Sequence, residues 1–396
     1  MQIPVLEDLP IERGTRVLLR ADFNVPLDAN GTITDDLRIT AALPTINWLR
    51  EQHCSIVVGS HLGRPKADDP AGNAQYSLAP VARRLSELLG TTVELSPEVA
   101  GFESLARAQS LASGEVLLLE NLRFDAGETK NDAAFATNLS QLGDVYVNDA
   151  FGAAHRAHAS VVGPPAAMPS AAGRLLAREV EVLGTLLESP RHPFIAILGG
   201  AKVSDKLAVI DALLQRCDQI LIGGAMAFTF HVAQGLAVGD SLVEPDFVER
   251  CASLLETGRI VVPTDLVIAE AMRADASSRH CGAGRVPPGW KGLDIGPETA
   301  GTYSEIVLDA ATVLWNGPMG VFEMAPFAMG TKTVAEAVAD CRGFTVIGGG
   351  DSAAAVRQFG VADRIDHVST GGGASLEFIE HGDLPGLAAL RKAQHA

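Results

Sequence analysis

The chain has 396 residues, which exceeds what one ordinary hydrophobic core accommodates, so we expect two domains of about 200 residues each. Charged residues make up 20% of the sequence and hydrophobic residues 47%, a balance that excludes a largely disordered chain. The formal net charge of −17 disfavours non-specific binding of nucleic acid, because phosphate backbones attract positive surfaces. Any anionic ligand therefore requires basic residues that are gathered locally.

Membrane and extracellular protein classes are also disfavoured. No apolar run approaches the roughly 18 residues that span a bilayer, so we expect no membrane partner. Residues 1–8 lack the basic start and long apolar core of a signal peptide. The five cysteines are scattered and never form a Cys-x-x-Cys pair, which predicts reduced thiols in the cytoplasm and argues against a disulfide framework or a zinc site.

Short apolar segments alternate with helix-like segments along the whole chain. This alternation predicts an α/β protein with parallel sheets and helices on both faces. Ligands in such folds bind beyond the carboxyl ends of the strands, where polar residues cluster in this sequence. The clearest helical patterns are Leu78–Leu89 and Val203–Leu214. The predicted strands are Arg16–Arg20, Ser55–Gly59, Glu115–Leu119, Asp144–Val147, Phe194–Leu198, Gln219–Ile222, Arg259–Val262, Thr312–Trp315 and Phe344–Ile347.

A domain boundary is predicted near residues 165–190. Pro164-Pro165 and Pro169 interrupt the chain after a Gly/Ala-rich stretch, and Ser189-Pro190 ends the helix that follows. A helix between two domains could serve as a hinge. Its apolar face is marked by Leu176, Val180, Leu183 and Leu187.

Basic residues of the first half collect at the ends of predicted strands. Each arginine alone could be a surface or ion-pairing residue, but several at one sheet edge predict an anion pocket, because arginine forks bind phosphate or carboxylate. His155 and His158 have a spacing that could hold a metal, yet no third ligand lies nearby, so a hydrogen-bonded or anion-binding histidine is favoured over zinc. The segments are Arg20–Pro26, Asp36–Ile39, Ser60–Pro65, Leu119–Phe124 and Ala154–His158.

Three glycine-rich turns follow apolar strands, at Val346–Ser352, Val368–Ser375 and Ile195–Lys202. Bare backbone N–H groups in such a turn can approach a phosphate at a helix N-terminus. An acid placed there, such as Asp351, can hold the Mg²⁺ that accompanies the phosphates. Three such turns in one chain favour an enzyme that handles phosphoryl groups.

The segment Gly199–Lys206 superficially resembles a P-loop, but it lacks the GxxxxGK[ST] spacing, and its dinucleotide fingerprint is weak. Lys202 and Lys206 are four residues apart at a predicted helix start and are expected to share a face. Two positive charges there interact unfavourably with the helix dipole, and an anionic ligand between them would offset this repulsion.

The segment Leu314–Glu323 combines a strand end, a tight turn and a lone acid. Glu323 could accept hydrogen bonds from ribose hydroxyls or could simply be a solvated carboxylate at a helix start. The sequence shows no Ser-His-Asp order, paired-carboxylate motif or nucleophilic cysteine signature. Phosphoryl transfer between anionic oxygens needs none of these, since positioning, Mg²⁺ and positive charge suffice.

Taken together, these motifs resemble the phosphoglycerate kinase family, and the resemblance covers nearly the whole chain. Each segment alone is weak evidence, whereas ten in the family's order are specific. The ten segments are Arg20–Pro26, Ser60–Pro65, Asn121–Phe124, Ala150–His158, Gly199–Lys206, Gly223–Phe230, Gly292–Pro297, Trp315–Glu323, Gly348–Ala354 and Ser369–Glu377.

The resemblance implies reversible transfer of the acyl phosphate of 1,3-bisphosphoglycerate to MgADP, giving 3-phosphoglycerate and ATP. It implies catalytic roles for Arg38, Lys202, Gly350 and Gly372, and Mg²⁺ binding by Asp351. The implied 3-phosphoglycerate site comprises Asp22, Phe23, Asn24, Arg38, Ser60, His61, Gly63, Arg64, Arg123, His155 and Arg156. The implied nucleotide site comprises Gly200, Ala201, Lys202, Lys206, Gly224, Gly292, Asn316, Pro318, Glu323, Gly349, Gly350, Asp351 and Ser352.

The resemblance further implies two Rossmann-like domains, each a parallel sheet flanked by helices, in a monomer. An N-terminal domain over 1–170 would bind 3-phosphoglycerate, with 378–396 packing back on it. A helix over 171–188 would join it to a nucleotide-binding domain over 189–377. Separate lobes suit two polyanions that repel each other, and closure would exclude water from the acyl phosphate.

Three alternatives stay open on the sequence alone. A generic acid kinase would prefer acetate-like substrates, although the basic residues of the first half favour a second phosphate on the substrate. A catalytically inactive binding protein on the same fold would bind nucleotide without turnover, but the presence of Arg38, Lys202 and Asp351 speaks against it. A nicotinamide dehydrogenase is weakened by the missing fingerprint.

Overall fold

In the computed structural model, which describes residues 2–66 and 70–394, six parallel strands of the first half form one sheet. Their order is β3-β4-β2-β1-β5-β6, and helices flank the sheet as predicted. The strands are β1 (Arg16–Arg20), β2 (Ser55–Gly59), β3 (Val93–Leu95), β4 (Val116–Leu118), β5 (Val145–Asn148) and β6 (Ser170–Ala172).

The sequence predicts β1 and β2 with the observed bounds. It places the strand at Glu115–Leu119 one residue too wide at each end, and the strand at Asp144–Val147 one residue too early. The edge strands β3 and β6 are not predicted, because Glu94 interrupts the apolar residues of β3 and β6 contains only small residues, so neither forms an apolar run that differs from a loop.

Eight helices accompany these strands in the described part of residues 2–188. The predicted helix at Leu78–Leu89 begins one residue later and ends where Gly90 adopts a left-handed φ of 62°, a common helix stop. The long predicted helix before Ser189 is confirmed as α8. The helices are α1 (Leu37–Glu51), α2 (Pro70–Asn73), α3 (Ala79–Leu89), α4 (Phe102–Ser110), α5 (Ala126–Lys130), α6 (Ala133–Ser140), α7 (Ala159–Val162) and α8 (Arg174–Glu188).

The central strands are buried on both faces, which explains their continuous apolar sequences. Val17 and Ile56 of the sheet join Ile39 and Ile46 of α1 in one core cluster. Each such side chain contributes about 1.5–3 kcal/mol when it is removed from water. This core holds the carboxyl ends of β1 and β2 at fixed positions relative to the start of α1.

A second six-stranded parallel sheet lies in the other half, in the order β10-β8-β7-β15-β16-β17. The predicted strands at 194–198 and 219–222 are confirmed unchanged, and those at 312–315 and 344–347 extend by one residue. The strands are β7 (Phe194–Leu198), β8 (Gln219–Ile222), β9 (Ala237–Val238), β10 (Ile260–Val261), β11 (Asp265–Ala269), β12 (Arg279–Gly282), β13 (Arg285–Val286), β14 (Lys291–Ile295), β15 (Thr312–Asn316), β16 (Phe344–Gly348) and β17 (His367–Val368).

Strands β12, β11 and β14 form a separate antiparallel sheet, and β13 pairs with β9. The strand–helix alternation does not predict this antiparallel addition. The helices of this half are α9 (Leu207–Leu213), α10 (Ala227–Ala233), α11 (Val248–Leu255), α12 (Pro297–Leu308), α13 (Met329–Asp340), α14 (Gly350–Gln358) and α15 (Gly373–His381).

The chain divides into two units, of which the first comprises Met1–Gly184 with Asp383–Ala396 and the second Thr185–Gly382. The last helix, α16 (Pro385–Ala393), packs on α7 within the first unit. The backbone N–H of Gly386 donates to the carbonyl of Ala154 at 2.9 Å. The division falls within α8 and at Asp383, whereas the sequence places the boundaries at 170, 188 and 378.

Within the described ranges, the structure contains no helix of sufficient length and apolar character to cross a bilayer.

Candidate functional site

In the first unit, predicted site residues lie beyond the carboxyl ends of β1 and β2. Arg38, in the first turn of α1, places Nη1 against Oδ2 of Asp22. His61 Nδ1 lies 3.8 Å from Oδ1 of the same carboxylate. Because parallel strands end at one edge of a sheet, residues far apart in sequence meet here. The structure thus brings these three predicted residues together.

The charge at this edge is carried by arginine. Asp22 is only 8% exposed, and burial alone would raise the pKa of its carboxyl. Arg38 and Arg20 outweigh burial and hold the pKa of Asp22 below its ordinary value. Burial, reinforced by Arg20, Arg123 and Arg38, lowers the pKa of His61 to about 3, so the imidazole is neutral at pH 7. We call Arg20, Arg38, His61 and Arg123 the basic cluster.

Two residues of this edge, Arg20 and Glu128, are absent from the site residues that the family resemblance implies, although Arg20 begins one of the basic segments. Arg20 is 2% exposed, and its Nε donates to Ser160 Oγ at 2.9 Å while its Nη2 donates to His61 Nδ1 at 3.3 Å. Glu128 is fully buried and accepts hydrogen bonds from the backbone N–H and the hydroxyl of Ser160 at 2.9 and 2.6 Å. Its Oε1 lies 4.0 Å from Arg20 Nη2. Glu128 therefore supports the basic cluster from below.

A second group of predicted residues is joined through Gly63. Its N–H donates to Asn24 Oδ1 at 2.8 Å, and its carbonyl accepts from Arg123 Nη1 at 2.7 Å. A side chain at this position would collide with the ring of Tyr76, 2.4 Å from where a Cβ would lie, and φ is +60°. Glycine is needed here so that Asn24 and Arg123 can bind the N–H and the carbonyl of one residue.

The remaining predicted residues of the first unit differ in exposure. Phe23 and Ser60 are fully buried, and the Phe23 backbone N–H donates to Ser60 Oγ at 2.8 Å. The Phe23 side chain belongs to the hydrophobic core, which leaves only its backbone for a polar contact. Arg64 and Arg156 are exposed, and His155 is half-buried.

The His155-x-x-His158 pair is not part of a recognisable metal centre. Across residues 2–66 and 70–394, no three His, Cys, Asp or Glu side chains are grouped so as to hold a metal ion. His158 Nδ1 instead lies 3.7 Å from Glu128 Oε1. Burial lowers the pKa of His158 to about 4, against the opposing effect of Glu128.

Replacing Glu128 by alanine is expected to reduce the free energy of unfolding of the first unit by about 3 kcal/mol, because Ser160 then loses a buried acceptor and Arg20 loses a nearby buried counter-charge. Urea unfolding followed by circular dichroism measures the loss. Thr129→Ala, an exposed change on the same helix α5, serves as control and should shift the midpoint little. An unchanged midpoint in Glu128→Ala would show that the carboxylate does not support the cluster.

In the second unit, two glycine turns at the ends of β7 and β15 interlock. A Cβ on Gly199 would lie 2.0 Å from the carbonyl oxygen of Pro318, and one on Gly317 would lie 2.2 Å from the carbonyl oxygen of Gly199. A Cβ on Gly224, whose φ is +67°, would lie 2.5 Å from the carbonyl oxygen of Gly200. Only bare backbone allows these loops to approach so closely.

The substitution Gly199→Ala should therefore destabilise the second unit by about 1–3 kcal/mol, since backbone atoms must move to accommodate the methyl group. Gly301→Ala is the matched control, because Gly301 lies in α12 with open space where its Cβ would be. The control should be neutral or slightly stabilising in a helix. Equal thermal midpoints for the two variants would contradict the interlocked geometry.

The segment Gly199–Lys206, here called the lysine loop, corrects a sequence prediction. Helix α9 begins only at Leu207, so Lys202 and Lys206 do not share a helical face. Turns occupy the preceding residues, and the Lys206 N–H donates to the carbonyl of Val203 at 2.9 Å. The Ser204 N–H donates to Glu244 Oε2, a tertiary contact that the spacing of the segment does not reveal.

The two lysines occupy different environments. Lys202 is exposed, whereas Lys206 is partly buried and its Nζ donates to Asn316 Oδ1. Burial lowers the pKa of Lys206 to about 8, against the opposing charges of Asp205 and Asp351. Lys206 therefore remains mostly charged at pH 7, fixed beside the end of β15.

Two helices begin at this same edge with glycine. Gly349 has a φ of +91° and precedes α14, while Gly372 has a φ of +54° and precedes α15. The first backbone N–H groups of a helix have no partner within it, so both starts offer donors to an anion. Gly350 and Asp351 are exposed in the first turn of α14.

The other predicted nucleotide residues lie as follows. Ser352 is fully buried, and its Oγ accepts from the Gly317 N–H at 2.5 Å. Gly292 donates its N–H to Ser241 Oγ at 2.9 Å, and Glu323 is exposed. Ala201 is exposed beside Lys202.

The donor set at Asp351 fits Mg²⁺ that arrives with a nucleotide. Mg²⁺ typically takes one or two carboxylates and completes its shell with water and phosphate oxygens. Asp351 supplies one exposed carboxylate at a helix start and lies close enough to Lys206 to raise its pKa. Such a set would hold the ion only together with the phosphates.

The chain is similar to known proteins along almost its full length. A sequence model of one protein family, described as phosphoglycerate kinase, matches residues 6–382. A phosphoglycerate kinase of Roseiflexus sp. (strain RS-1) is 54% identical over 387 residues, covering 96% of this chain and 97% of that protein. Another, of Salinispora arenicola (strain CNS-205), is 54% identical over 401 residues, covering 98% and 100%.

Solved structures agree with this similarity. The phosphoglycerate kinase of Coxiella burnetii superposes with a TM-score of 0.87 at 38% identity, covering 99% of both chains. That of Pyrococcus horikoshii OT3 gives a TM-score of 0.88 at 36% identity, covering 99% of this chain and 100% of that one. The family match and these identities lead to one conclusion: the chain belongs to the phosphoglycerate kinase family.

Proposed function

We propose that this chain transfers the acyl phosphate of 1,3-bisphosphoglycerate to MgADP and, in reverse, phosphorylates 3-phosphoglycerate with MgATP. The family match over residues 6–382 carries the proposal. As a member of this family the chain is a kinase of glycolysis. The geometry of the two groups of residues supports the proposal of a task for each residue.

The basic cluster of the first unit is the proposed 3-phosphoglycerate site. In a chain with a net charge of −17, several arginines converge on one sheet edge around the buried carboxylates of Asp22 and Glu128. Arg38 and Arg123 present guanidinium groups that suit the planar oxygens of phosphate and carboxylate. In this proposal Asn24 and His61 would orient the glycerate, and Arg64, His155 and Arg156 would add further contacts to it. The backbone of Phe23 and Gly63 and the Ser60 hydroxyl hold the edge in shape.

The lysine loop and the starts of α14 and α15 form the proposed nucleotide phosphate site of the second unit. Lys206, fixed by Asn316, would bind a phosphate that stays on the nucleotide. Lys202, which is exposed, would contact the phosphoryl group that is transferred. The N–H groups at Gly350 and Gly372 would stabilise the equatorial oxygens. Gly224, Gly292, Pro318 and Glu323 would line the adenosine.

Asp351 would hold Mg²⁺ against the nucleotide phosphates, and the ion would neutralise charge that develops on them. No side chain acts as a general base, because the attacking carboxylate of 3-phosphoglycerate is already an anion. The residues of this chain instead bind, orient and neutralise. In-line transfer requires the two phosphate sites to approach each other and to exclude water, so we include closure of the two units in the proposal. We also propose a cytoplasmic monomer.

The test is ATP consumption that depends on 3-phosphoglycerate, coupled through glyceraldehyde-phosphate dehydrogenase to the loss of NADH. We expect turnover with 3-phosphoglycerate, none with acetate, and none after Mg²⁺ is removed with EDTA. A preference for acetate would instead support a generic acid kinase. Binding of MgADP without any turnover would support a catalytically inactive family member.

A further inference from the structure

The lysine loop raises a structural question, since its residues are neither helix nor strand and yet carry two of the proposed phosphate ligands. Lys206 is fixed by Asn316, but Lys202 is exposed on the other arm of the loop. A flexible side chain on a mobile loop would contribute little to the reaction rate, because small displacements of a catalytic group lower that rate strongly. A contact from elsewhere in the unit is therefore needed to hold the part of the lysine loop around Lys202.

Glu244 makes that contact. Its Oε2 accepts the backbone N–H of Ser204 at 3.1 Å, and its Oε1 accepts the Ser204 hydroxyl at 2.6 Å. The Val203 N–H adds a third hydrogen bond to this carboxylate. Burial alone would raise the pKa of Glu244, but the hydrogen bonds from Ser204 and Val203 and the nearby charge of Lys202 hold that pKa below its ordinary value.

Glu244 is itself held by the rest of the unit. It lies just before the 3₁₀ turn Pro245–Phe247, and its backbone N–H donates to Thr229 Oγ1 at 3.2 Å. Thr229 is 1% exposed in α10. A continuous path of hydrogen bonds therefore runs from a buried helix through Glu244 to the two residues that follow Lys202.

The charge of Glu244 does not block Lys202. Both carboxylate oxygens already accept hydrogen bonds from Ser204, so the carboxylate attracts the ammonium group without engaging it in a short ion pair among the described contacts. Because charge-assisted hydrogen bonds are stronger than neutral ones, the same charge strengthens the hold on the loop. Lys202 remains available for a more highly charged partner.

We propose that Glu244 is a positioning residue for phosphoryl transfer, which fixes the backbone next to Lys202 so that its ammonium group meets the transferred phosphoryl group. This inference rests on the proposed function, in which Lys202 contacts that group. It predicts that Glu244 acts on turnover and through Lys202, with little effect on ground-state binding of either substrate.

The test begins with Glu244→Gln, which keeps the shape and one acceptor oxygen but removes the charge. We expect kcat to fall about tenfold, while the Kd for MgADP and the Michaelis constant for 3-phosphoglycerate change by less than about threefold. Ser204→Ala, which removes one of the two donors of Ser204, should lower kcat by a smaller factor. Asp246→Asn is the matched control, since Asp246 is an exposed acid on the same segment, and it should leave kcat unchanged.

A double-mutant cycle with Lys202→Ala separates positioning from general damage. If Glu244 acts through Lys202, then Glu244→Gln should cost nothing further in the Lys202→Ala background. An undiminished loss in that background, or a full-activity Glu244→Gln variant, would overturn the inference. Thermal unfolding of each variant shows whether it is folded. If the parent enzyme itself showed no turnover with 3-phosphoglycerate, the proposed function would be wrong, and that outcome is distinct from a failure of the Glu244 inference.

Discussion

Replacing Lys202 by alanine should lower kcat by about 100- to 1000-fold while changing the Kd for MgADP by less than about threefold. Lys202 is exposed, and the ordered contact of the lysine loop to Asn316 is made by Lys206. Ground-state binding of the nucleotide therefore depends little on Lys202. Charge on the equatorial oxygens is spread during transfer, and an ammonium group that meets them then stabilises the transition state preferentially.

Steady-state kinetics with the coupled assay and calorimetric titration of MgADP measure the two quantities separately. Lys332→Ala is a suitable control, because Lys332 is a half-exposed lysine of α13 whose Nζ lies 3.8 Å from Glu336. This control should retain the parent kcat, since surface pairs of this kind contribute little. Equal losses in affinity and turnover for Lys202→Ala would mean that this lysine only binds the ground state.

Replacing Arg38 by alanine should lower kcat/KM for 3-phosphoglycerate by at least about 1000-fold, because the change removes both a proposed substrate ligand and the partner of Asp22. Arg38 is 30% exposed and can reach a ligand, whereas Asp22 is 8% exposed. Without Arg38 the buried Asp22 carboxylate would repel an incoming anion. Kinetics at saturating MgATP, with Arg178→Ala on α8 as an exposed arginine control, would measure the loss.

The same variant should alter the acid dependence of stability. The pKa of Asp22 is lowered in the folded state, so its contribution to stability is present above the unfolded value, about 3.9, and is lost as pH falls through the folded pKa. Removing Arg38 leaves burial less opposed and raises that pKa. The Arg38→Ala variant should therefore lose stability relative to the parent at neutral pH, and the difference should shrink in acid. A difference that is constant with pH would contradict the described pair.

The sheets and the strand-end sites could be predicted because local sequence specifies them. Runs such as Ser55–Gly59 have an apolar centre and end in glycine or a polar residue, and both features are visible without the partner strands. The strand Val93–Leu95 carries no such signal, since Glu94 interrupts its apolar residues and pairing with a neighbour defines it. The sequence does not predict the antiparallel sheet around Asp265–Ala269, because its strands β11, β12 and β14 follow one another between α11 and α12 without the intervening helices of a strand–helix alternation.

Tertiary contacts explain what the sequence does not reveal about the site. The apolar spacing of Val203–Leu214 is helical, yet the helix begins only at Leu207, and Glu244, about forty positions later in the chain, accepts the N–H of Ser204 before it. Glu128 has no local signal either, because its role depends on Ser160 and Arg20 far away in sequence. The proposed ligand-binding residues form recognisable motifs, whereas residues such as Glu128 and Glu244, which contact other parts of the chain, do not.

The central claim is that the two units divide the substrates, with 3-phosphoglycerate on the basic cluster and MgADP on the lysine loop and the helix starts near Asp351. Calorimetric titration of each ligand into the parent, Arg38→Ala and Asp351→Asn proteins tests this most directly. We expect Arg38→Ala to weaken 3-phosphoglycerate binding by at least about tenfold and to leave MgADP binding unchanged, and we expect Asp351→Asn to do the reverse. If either variant weakened both ligands equally, or weakened only the other one, the assignment of one substrate to each unit would be contradicted.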